Sequence, residues 1–309
     1  MQIIFFCPPA TVINGGIKFI FRMADILRAA GHEAVVLEEQ GRRPAWFAVP
    51  DVPVVGQSVL QPDPKQIYVL PEDQTHMLEP LKAWPQRKVV YIQNHFYGAL
   101  GLADADYAAY GVTHLLCSSR TIFDYARLRH PKLTAHIIPY AIDTSLFRPA
   151  PVRQNKIVFM PRKRPIEAPY IRDLFRFLYP EFRDWQWQEL SDLTEADVAK
   201  AMSEAYVFLS LSRLEGFGLT PLEAMAAGCV VAGFTGIGGR EYASPANGFW
   251  AEEDDFPSCV KQLKEAVELS QKESPARAAY TETCRKTLAA YTPDVFRQAV
   301  KDAWEKILL

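Results

Sequence analysis

The run from Tyr206 to Ala232 constrains the fold more than any other part of the chain. It opens with YVFLSLS (Tyr206 to Ser212), apolar and β-rich enough for a buried strand, and passes into a loop, Glu215-Gly216-Phe217-Gly218. Glycine carries no Cβ, so this loop can bring backbone close to a ligand. Thr220-Pro221-Leu222-Glu223 then reads as a helix start, with Thr220 as N-cap, Pro221 at the first helical position and Glu223 at the capping-box position. Gly228 ends that helix, and Cys229-Val230-Val231-Ala232 is the next strand. A strand, loop, helix, strand unit of this kind belongs to a parallel sheet, so the chain is read as α/β. The free N–H groups at the helix start, beside two loop glycines, form an anion site in which the helix dipole contributes about 0.3–2 kcal/mol per charge.

Two carboxylates flank that site, Glu215 at its mouth and Glu223 one helical turn in. Taken singly, Glu223 is a capping residue and Glu215 a solvated loop acid. Taken together with the glycines, the E-x7-E pattern EGFGLTPLE resembles the signature of retaining GT-B glycosyltransferases of the large nucleotide-sugar-dependent group, the family 4-like enzymes. The resemblance implies that Glu223 holds the nucleotide ribose and that Glu215 contacts the donor sugar as a catalytic residue. It also implies that the backbone of Gly216, Phe217, Gly218, Leu219 and Thr220 binds the diphosphate. The fold it implies is GT-B, two Rossmann-like domains whose parallel sheets face each other across a cleft.

A chain of 309 residues exceeds what one hydrophobic core supports, which suits two domains of about 150 residues. Its content is 49% hydrophobic and 23% charged, ordinary for a globular protein, and no run approaches the ~18 apolar residues of a membrane helix. The start, MQIIFFCPPA, has no basic region and too short an apolar run for a secretory signal, so it reads as the first strand. Five scattered cysteines without a CxxC pair read as reduced thiols of a cytoplasmic protein. A net charge of −2 excludes an electrostatic footprint for nucleic acid.

In the first half, Ile3 to Cys7 is a short apolar strand. A loop from Pro8 to Asn14 ends in Gly15-Gly16 before an amphipathic helix. Ile17, Ile20, Phe21, Ala24 and Leu27 share one face of it, with Lys18, Arg22, Asp25 and Arg28 mostly away, and Ala34 to Leu37 completes a βαβ unit. Gly15 and Gly16 resemble the glycine loop that approaches the donor phosphates or the acceptor in GT-B enzymes; a flexible helix entry is the plainer reading. Glu38-Glu39 mimics the ribose acid of a dehydrogenase, but the required GxGxxG is missing. Ile67 to Leu70 and Lys88 to Ile92 are strands, and the second runs into a loop, Gln93-Asn94-His95-Phe96-Tyr97-Gly98. The resemblance places His95 against the donor sugar, as a second catalytic residue. Asp104-Ala-Asp106 spells a DxD, yet its alanine-rich surroundings, LADADYAAY, read as a solvated helix face. Thr113 to Cys117 is a strand, and Ser118-Ser119 cap the following helix.

The segment from Ile137 to Pro149 (IIPYAIDTSLFRP) reads as a strand end, a turn and a proline-bounded linker, and resembles the segment that leaves the first domain of this group. Lys156 to Met160 opens the second domain and delivers Pro161-Arg162-Lys163-Arg164; the resemblance implies that Arg162, Lys163 and Arg164 are the cations at the diphosphate, and because the chain departs from the family's spacing, which of them binds is left open. Tyr170 to Leu178 and Thr194 to Met202 read as helices, the second capped by Thr194, with a β-rich stretch from Trp185 to Leu190 between them. A glycine loop from Gly233 to Glu241 and the Asn247-Gly248 turn resemble pieces that follow E-x7-E in the family.

The expected organisation is an acceptor-side Rossmann-like domain over residues 1–148, a nucleotide-sugar-binding one over 149–293, and a helix over 294–309 that crosses back to the first. The expected activity is glycosyl transfer from a nucleoside-diphosphate sugar to a carbohydrate, lipid-linked or other hydroxyl acceptor, with retention and as a step of glycan biosynthesis. No metal or cofactor is expected, and peripheral membrane contact is compatible with the reading. A GT-B isomerase or hydrolase of nucleotide sugars and a non-catalytic sugar-nucleotide-binding protein stand as alternatives.

Overall fold

The computed structural model describes residues 1–59, 61–102 and 104–309; Leu60, in the proline-rich stretch from 44 to 64, and Ala103, in the alanine-rich one, lie outside the described residues. The chain divides into one unit of Met1–Tyr140 with Asp294–Leu309 and a second of Ala141–Pro293.

The first unit opens with β1 (Gln2–Phe6), α1 (Gly15–Ala29), β2 (Glu33–Glu38), β3 (Val54–Gly56) and β4 (Ile67–Pro71). It continues with α2 (Leu78–Leu81), β5 (Arg87–Ile92), α3 (His95–Leu102), β6 (Val112–Cys117), α4 (Arg120–Arg129) and β7 (Thr134–Ile137). Among the described residues these strands make one parallel sheet in the order β3-β2-β1-β4-β5-β6-β7. A sheet covered on both faces has apolar side chains on both, and the strands read accordingly: Ile3, Ile4 and Phe5 are fully buried, as are Val89, Val90 and Tyr91. On α1 the expected apolar face is buried, but Lys18 is buried with it instead of facing water.

The second unit contains β8 (Gln154–Phe159), α5 (Glu167–Leu178), β9 (Gln186–Glu189), α6 (Glu195–Glu204), β10 (Ala205–Ser212) and α7 (Leu219–Ala226). Then follow β11 (Val230–Thr235), a single turn α8 (Gly236–Gly239), β12 (Phe249–Ala251), α9 (Phe256–Ser270) and α10 (Pro275–Leu288). Its parallel sheet runs β12-β11-β10-β8-β9, with Phe208 of β10 in register with Val158 and Val231 on either side. Thr194 caps α6 as expected, accepting from the Asp197 amide at 3.2 Å.

The last helix, α11 (Pro293–Leu308), packs into the first unit. Phe296 meets the Phe19 ring edge-on at 5.3 Å, and Trp304, 1% exposed, lies 5.9 Å from Phe5 and points its indole N–H at the Met23 sulfur. The Arg87 guanidinium donates to the Ile307 carbonyl, fixing the end of the helix at the base of β5.

Candidate functional site

In an open parallel sheet, ligands bind beyond the carboxyl ends of the strands where the strand order reverses. In the second unit the reversal falls between β8 and β10, because the chain leaves β8 for β9 on one side and β10 lies on the other. The two turns at that point are Pro161–Lys163 after β8 and the 213–218 loop after β10. They meet: the Lys163 ammonium lies 3.9 Å from a Glu215 carboxylate oxygen, with the side chains only 19% and 24% exposed. Arg162 beside it is exposed and forms no ion pair among the described residues.

The loop carrying Glu215 is held in an unusual backbone path. Leu214 has φ +50°, a conformation that costs a side-chain-bearing residue roughly 1–2 kcal/mol, and Gly218 has φ +86°. Support comes from below. The Gly238 amide donates to the Glu215 carbonyl at 2.9 Å, the Tyr242 hydroxyl donates to the Gly218 carbonyl at 2.6 Å, and Phe217, 1% exposed, packs between Tyr242 and Tyr291. The cap of α7 differs from the sequence expectation. Gly218 is the N-cap, its left-handed backbone turning the chain into the helix without any side-chain cap, and Thr220 is already the second helical residue. Pro221 is tolerated there because an amide in the first turn has no intrahelical acceptor to lose. Glu223 lies one turn into the helix and is 6% exposed.

Arg164 does not share the position of its two neighbours. Its side chain is fully enclosed; the guanidinium pairs with Glu253 at 2.7 Å, with Asp254, and with Glu167 at 3.7 Å, and sits 4.2 Å over the Phe234 ring. Arg164 holds the Asp254 carboxyl below the usual carboxylate range through that hydrogen bond. Its donors are thus committed to protein carboxylates, whereas Arg162 is exposed.

The expected glycine loop after β11 is instead the turn α8, wedged under the Glu215 loop. A Cβ on Gly238 would fall 2.3 Å from the Gly216 carbonyl carbon and the Phe217 nitrogen, both backbone, whereas one on Gly239 would meet nothing nearer than the Tyr242 hydroxyl at 3.2 Å. Gly238→Ala is therefore expected to destabilise the chain by about 1–3 kcal/mol, the usual range for overpacking, although alanine favours an open helical position. Urea unfolding beside Gly239→Ala, which should cost less, checks this; equal stability of the two would show that the loop yields freely.

In the first unit the strand order reverses between β1 and β4. Gly15 and Gly16 open α1 and are not a loop; Asn14 caps them, accepting from the Gly16 amide at 2.9 Å. The space where a Gly16 side chain would stand is filled by Gln93, whose amide donates to the Gly16 carbonyl at 2.9 Å. His95 likewise begins a helix, α3, where a loop was expected. Its Nδ1 is buried without a hydrogen-bond partner among the described residues, and burial holds the imidazole below the usual histidine range. The amide of the preceding Asn94 donates at 2.6 Å to Glu72, a residue the sequence reading passed over. The signal was present: IYVLPE is a buried parallel strand ending on an acid at its carboxyl end.

Two acids have structural work instead. Asp106 is no helix-face residue; it caps the Tyr107–Tyr110 turn and pairs with His130 Nδ1 at 2.9 Å. Glu38 accepts from the amides of Ala10, Gln40 and Arg42 at 3.2, 2.9 and 2.8 Å. Burial alone would raise its pKa, but these N–H groups and the Arg42 charge outweigh it and bring it below the usual range, leaving no free carboxylate for a ribose.

Comparison with known proteins bears on both units. The chain is 31% identical over 189 residues to an alpha-1,6-glucosyltransferase of Actinobacillus pleuropneumoniae serotype 7 (strain AP76), a match over 59% of this chain that spans 57% of the relative's length. Among solved structures, Anabaena HepE in complex with UDP and glucose superposes with a TM-score of 0.73 at 12% identity, covering 99% of this chain and 100% of that one. Sucrose-phosphate synthase from Thermosynechococcus elongatus superposes with a TM-score of 0.71 at 12% identity, covering 99% of each chain. At such identity the likeness is one of fold, and the two parallel α/β units have the GT-B fold. Residues 190–286, which include the Glu215 loop, α7 and β11, match the family described as "Glycosyl transferases group 1", and together with the fold this supports a GT-B glycosyltransferase.

Proposed function

We propose that the chain transfers a glycosyl group from a nucleoside-diphosphate sugar to an acceptor hydroxyl, with retention at the anomeric carbon and without a metal. The observation that carries this reading is the convergence of Lys163, Glu215 and the first turn of α7 at the strand-order reversal of the second unit. Breaking the sugar–phosphate bond builds positive charge on the ring and negative charge on the leaving diphosphate. Arg162, Lys163 and the backbone N–H groups of the Gly216–Thr220 stretch supply cations and donors for the diphosphate, which is what a metal would otherwise do. Glu223 holds the ribose. Glu215 orients the sugar hydroxyls, and His95 is the second sugar contact of this reading. The acceptor oxygen bonds to the anomeric carbon on the face the diphosphate leaves, and the acceptor proton passes to the departing phosphate oxygen. No side chain here is assigned as a covalent nucleophile.

The similarity to a glucosyltransferase and to a structure holding UDP and glucose makes UDP-glucose the donor to try first. A reducing, cytoplasmic setting agrees with five buried free cysteines, and no helix among the described residues is long and apolar enough to cross a membrane. Peripheral membrane contact follows only if the acceptor is lipid-linked. The test is incubation with UDP-glucose and a panel of hydroxyl acceptors in EDTA, reading the anomeric configuration of the first-formed product by NMR. Transfer with retention in chelator is expected; inversion, or activity restored only by Mg²⁺ or Mn²⁺, overturns the mechanism. Turnover without an acceptor would point to an isomerase or hydrolase, and binding without turnover to a regulatory protein. In calorimetry, Glu223→Ala should weaken UDP binding by about 1–3 kcal/mol, as for a hydrogen bond to a charged group.

A further inference from the structure

We propose that Glu72 is a positioning residue for His95, its carboxyl gripping the amide of Asn94 and so fixing the first turn of the helix that carries the imidazole. The proposal rests on the transfer reading above. Glu72 directly follows β4, one of the two strands between which the order of the first unit's sheet reverses. It is 4% exposed, and its bond to the Asn94 amide, at 2.6 Å, spans from the end of β4 to the end of β5. Asn94 in turn accepts from the Phe96 amide at 3.1 Å through its side chain, so the carboxyl, Asn94 and the start of α3 form one hydrogen-bonded run. α3 is also held close: a Cβ on Gly98 would stand 3.6 Å from the Glu72 Cβ and 3.1 Å from the Tyr107 hydroxyl.

A turn of this kind could be closed by a neutral serine or asparagine at less desolvation cost than a carboxyl. Burial, with the neighbouring Asp73 carboxylate adding to it, pushes the Glu72 carboxyl up to about 8, against the pull of the backbone amides of Glu72, Gln93 and Asn94. The groups facing it are Asp73 on its own segment, Tyr91 from β5 and Tyr107 from the turn after α3, with His76 beside Asp73 and Cys117 beside Tyr91. Burial raises both tyrosines and the Cys117 thiol, so they stay neutral through the range in which Glu72 ionises. The folded pKa lies above the unfolded one. Ionisation strengthens the amide bond itself but buries a charge, and the burial cost outweighs it, so the fold around the turn is most favoured below the ordinary carboxylate range and loses that stability as pH rises from there through about 8.

The experiment compares wild type, Glu72→Gln and Glu72→Ala. Glu72→Ala should lower kcat about ten- to hundredfold at pH 7 with UDP affinity little changed, since His95 is assigned to the sugar and not to the nucleotide. Glu72→Gln keeps an acceptor for the Asn94 amide and should recover most of that loss. It should also lack the fall in kcat through pH 8 that is expected of wild type. The Asn94 amide and His95 ring signals in NMR should titrate with a midpoint near 8 in wild type and not in Glu72→Gln, a readout that needs no turnover. Absence of transfer in wild type with this titration intact would sink the transfer reading alone. Flat Asn94 and His95 signals through pH 8, or wild-type kcat in Glu72→Ala, would overturn the positioning role.

Discussion

Replacing Arg164 with alanine is expected to lower the unfolding free energy by about 3–5 kcal/mol, a large share of what holds a domain folded. The guanidinium is fully enclosed, so its removal leaves a void against Phe234 and strips Glu253 and Asp254 of their cation, while Glu167 keeps Arg213 at 3.3 Å. Arg164→Lys should recover little, because an ammonium cannot reach carboxylates on two sides of a planar fork and also lie over a ring. Arg164→Met, which fills the space without charge, should be the milder change. Urea unfolding of the three variants checks the order. An alanine variant with wild-type stability and lost UDP affinity would return Arg164 to the diphosphate, where the sequence had grouped it with Arg162 and Lys163.

Glu215→Ala is expected to lower kcat by about 10²–10³, the scale of removing one group aimed at charge that develops in the transition state. Nucleotide affinity should move the other way. Lys163 is paired with Glu215 at 3.9 Å; removing that carboxylate takes away one competitor of a diphosphate for the ammonium, so UDP should bind as tightly as before or severalfold tighter. Lys163→Ala should weaken UDP binding instead. Parallel calorimetry and initial rates separate the two, and a Glu215→Ala variant that loses UDP affinity as fully as Lys163→Ala would show that the carboxylate serves the nucleotide.

The strands were legible because a sheet covered on both faces needs near-continuous apolar runs; IIFF and VVYI are such runs, and VFLSLS is one broken only by two serines. Thr194 as a cap was legible too, since its partner Asp197 is local in sequence. What was misread depended on conformation or on distance along the chain. Thr220 looked like a cap because a left-handed Gly218 leaves no trace beyond the letter G, and a proline fits several positions of a first turn. Arg164 looked like its neighbours because Glu253 and Asp254, which enclose it, come some ninety residues later. Gly16 could be read as a loop residue, since only the structure brings Gln93 into the space its side chain would occupy. Glu72 passed unnoticed because a pair of acids after a proline, Glu72-Asp73, reads as surface, and its burial comes from β5, α3 and the Tyr107 turn together.

The placement of α11 sets an order for how the protein is made. The second unit is one continuous stretch, whereas the first is split, with its final helix emerging only after Ala141–Pro293. At roughly 5–20 residues per second, a nascent first unit waits many seconds before Phe296 and Trp304 arrive to cover Phe19, Phe5 and Met23. During that interval an apolar face stands open on a sheet that is otherwise assembled, while the unit synthesised later can already be complete. The unit whose strands come earlier in the chain thus finishes folding after the one that follows it, and until α11 arrives its uncovered apolar face is where aggregation can start.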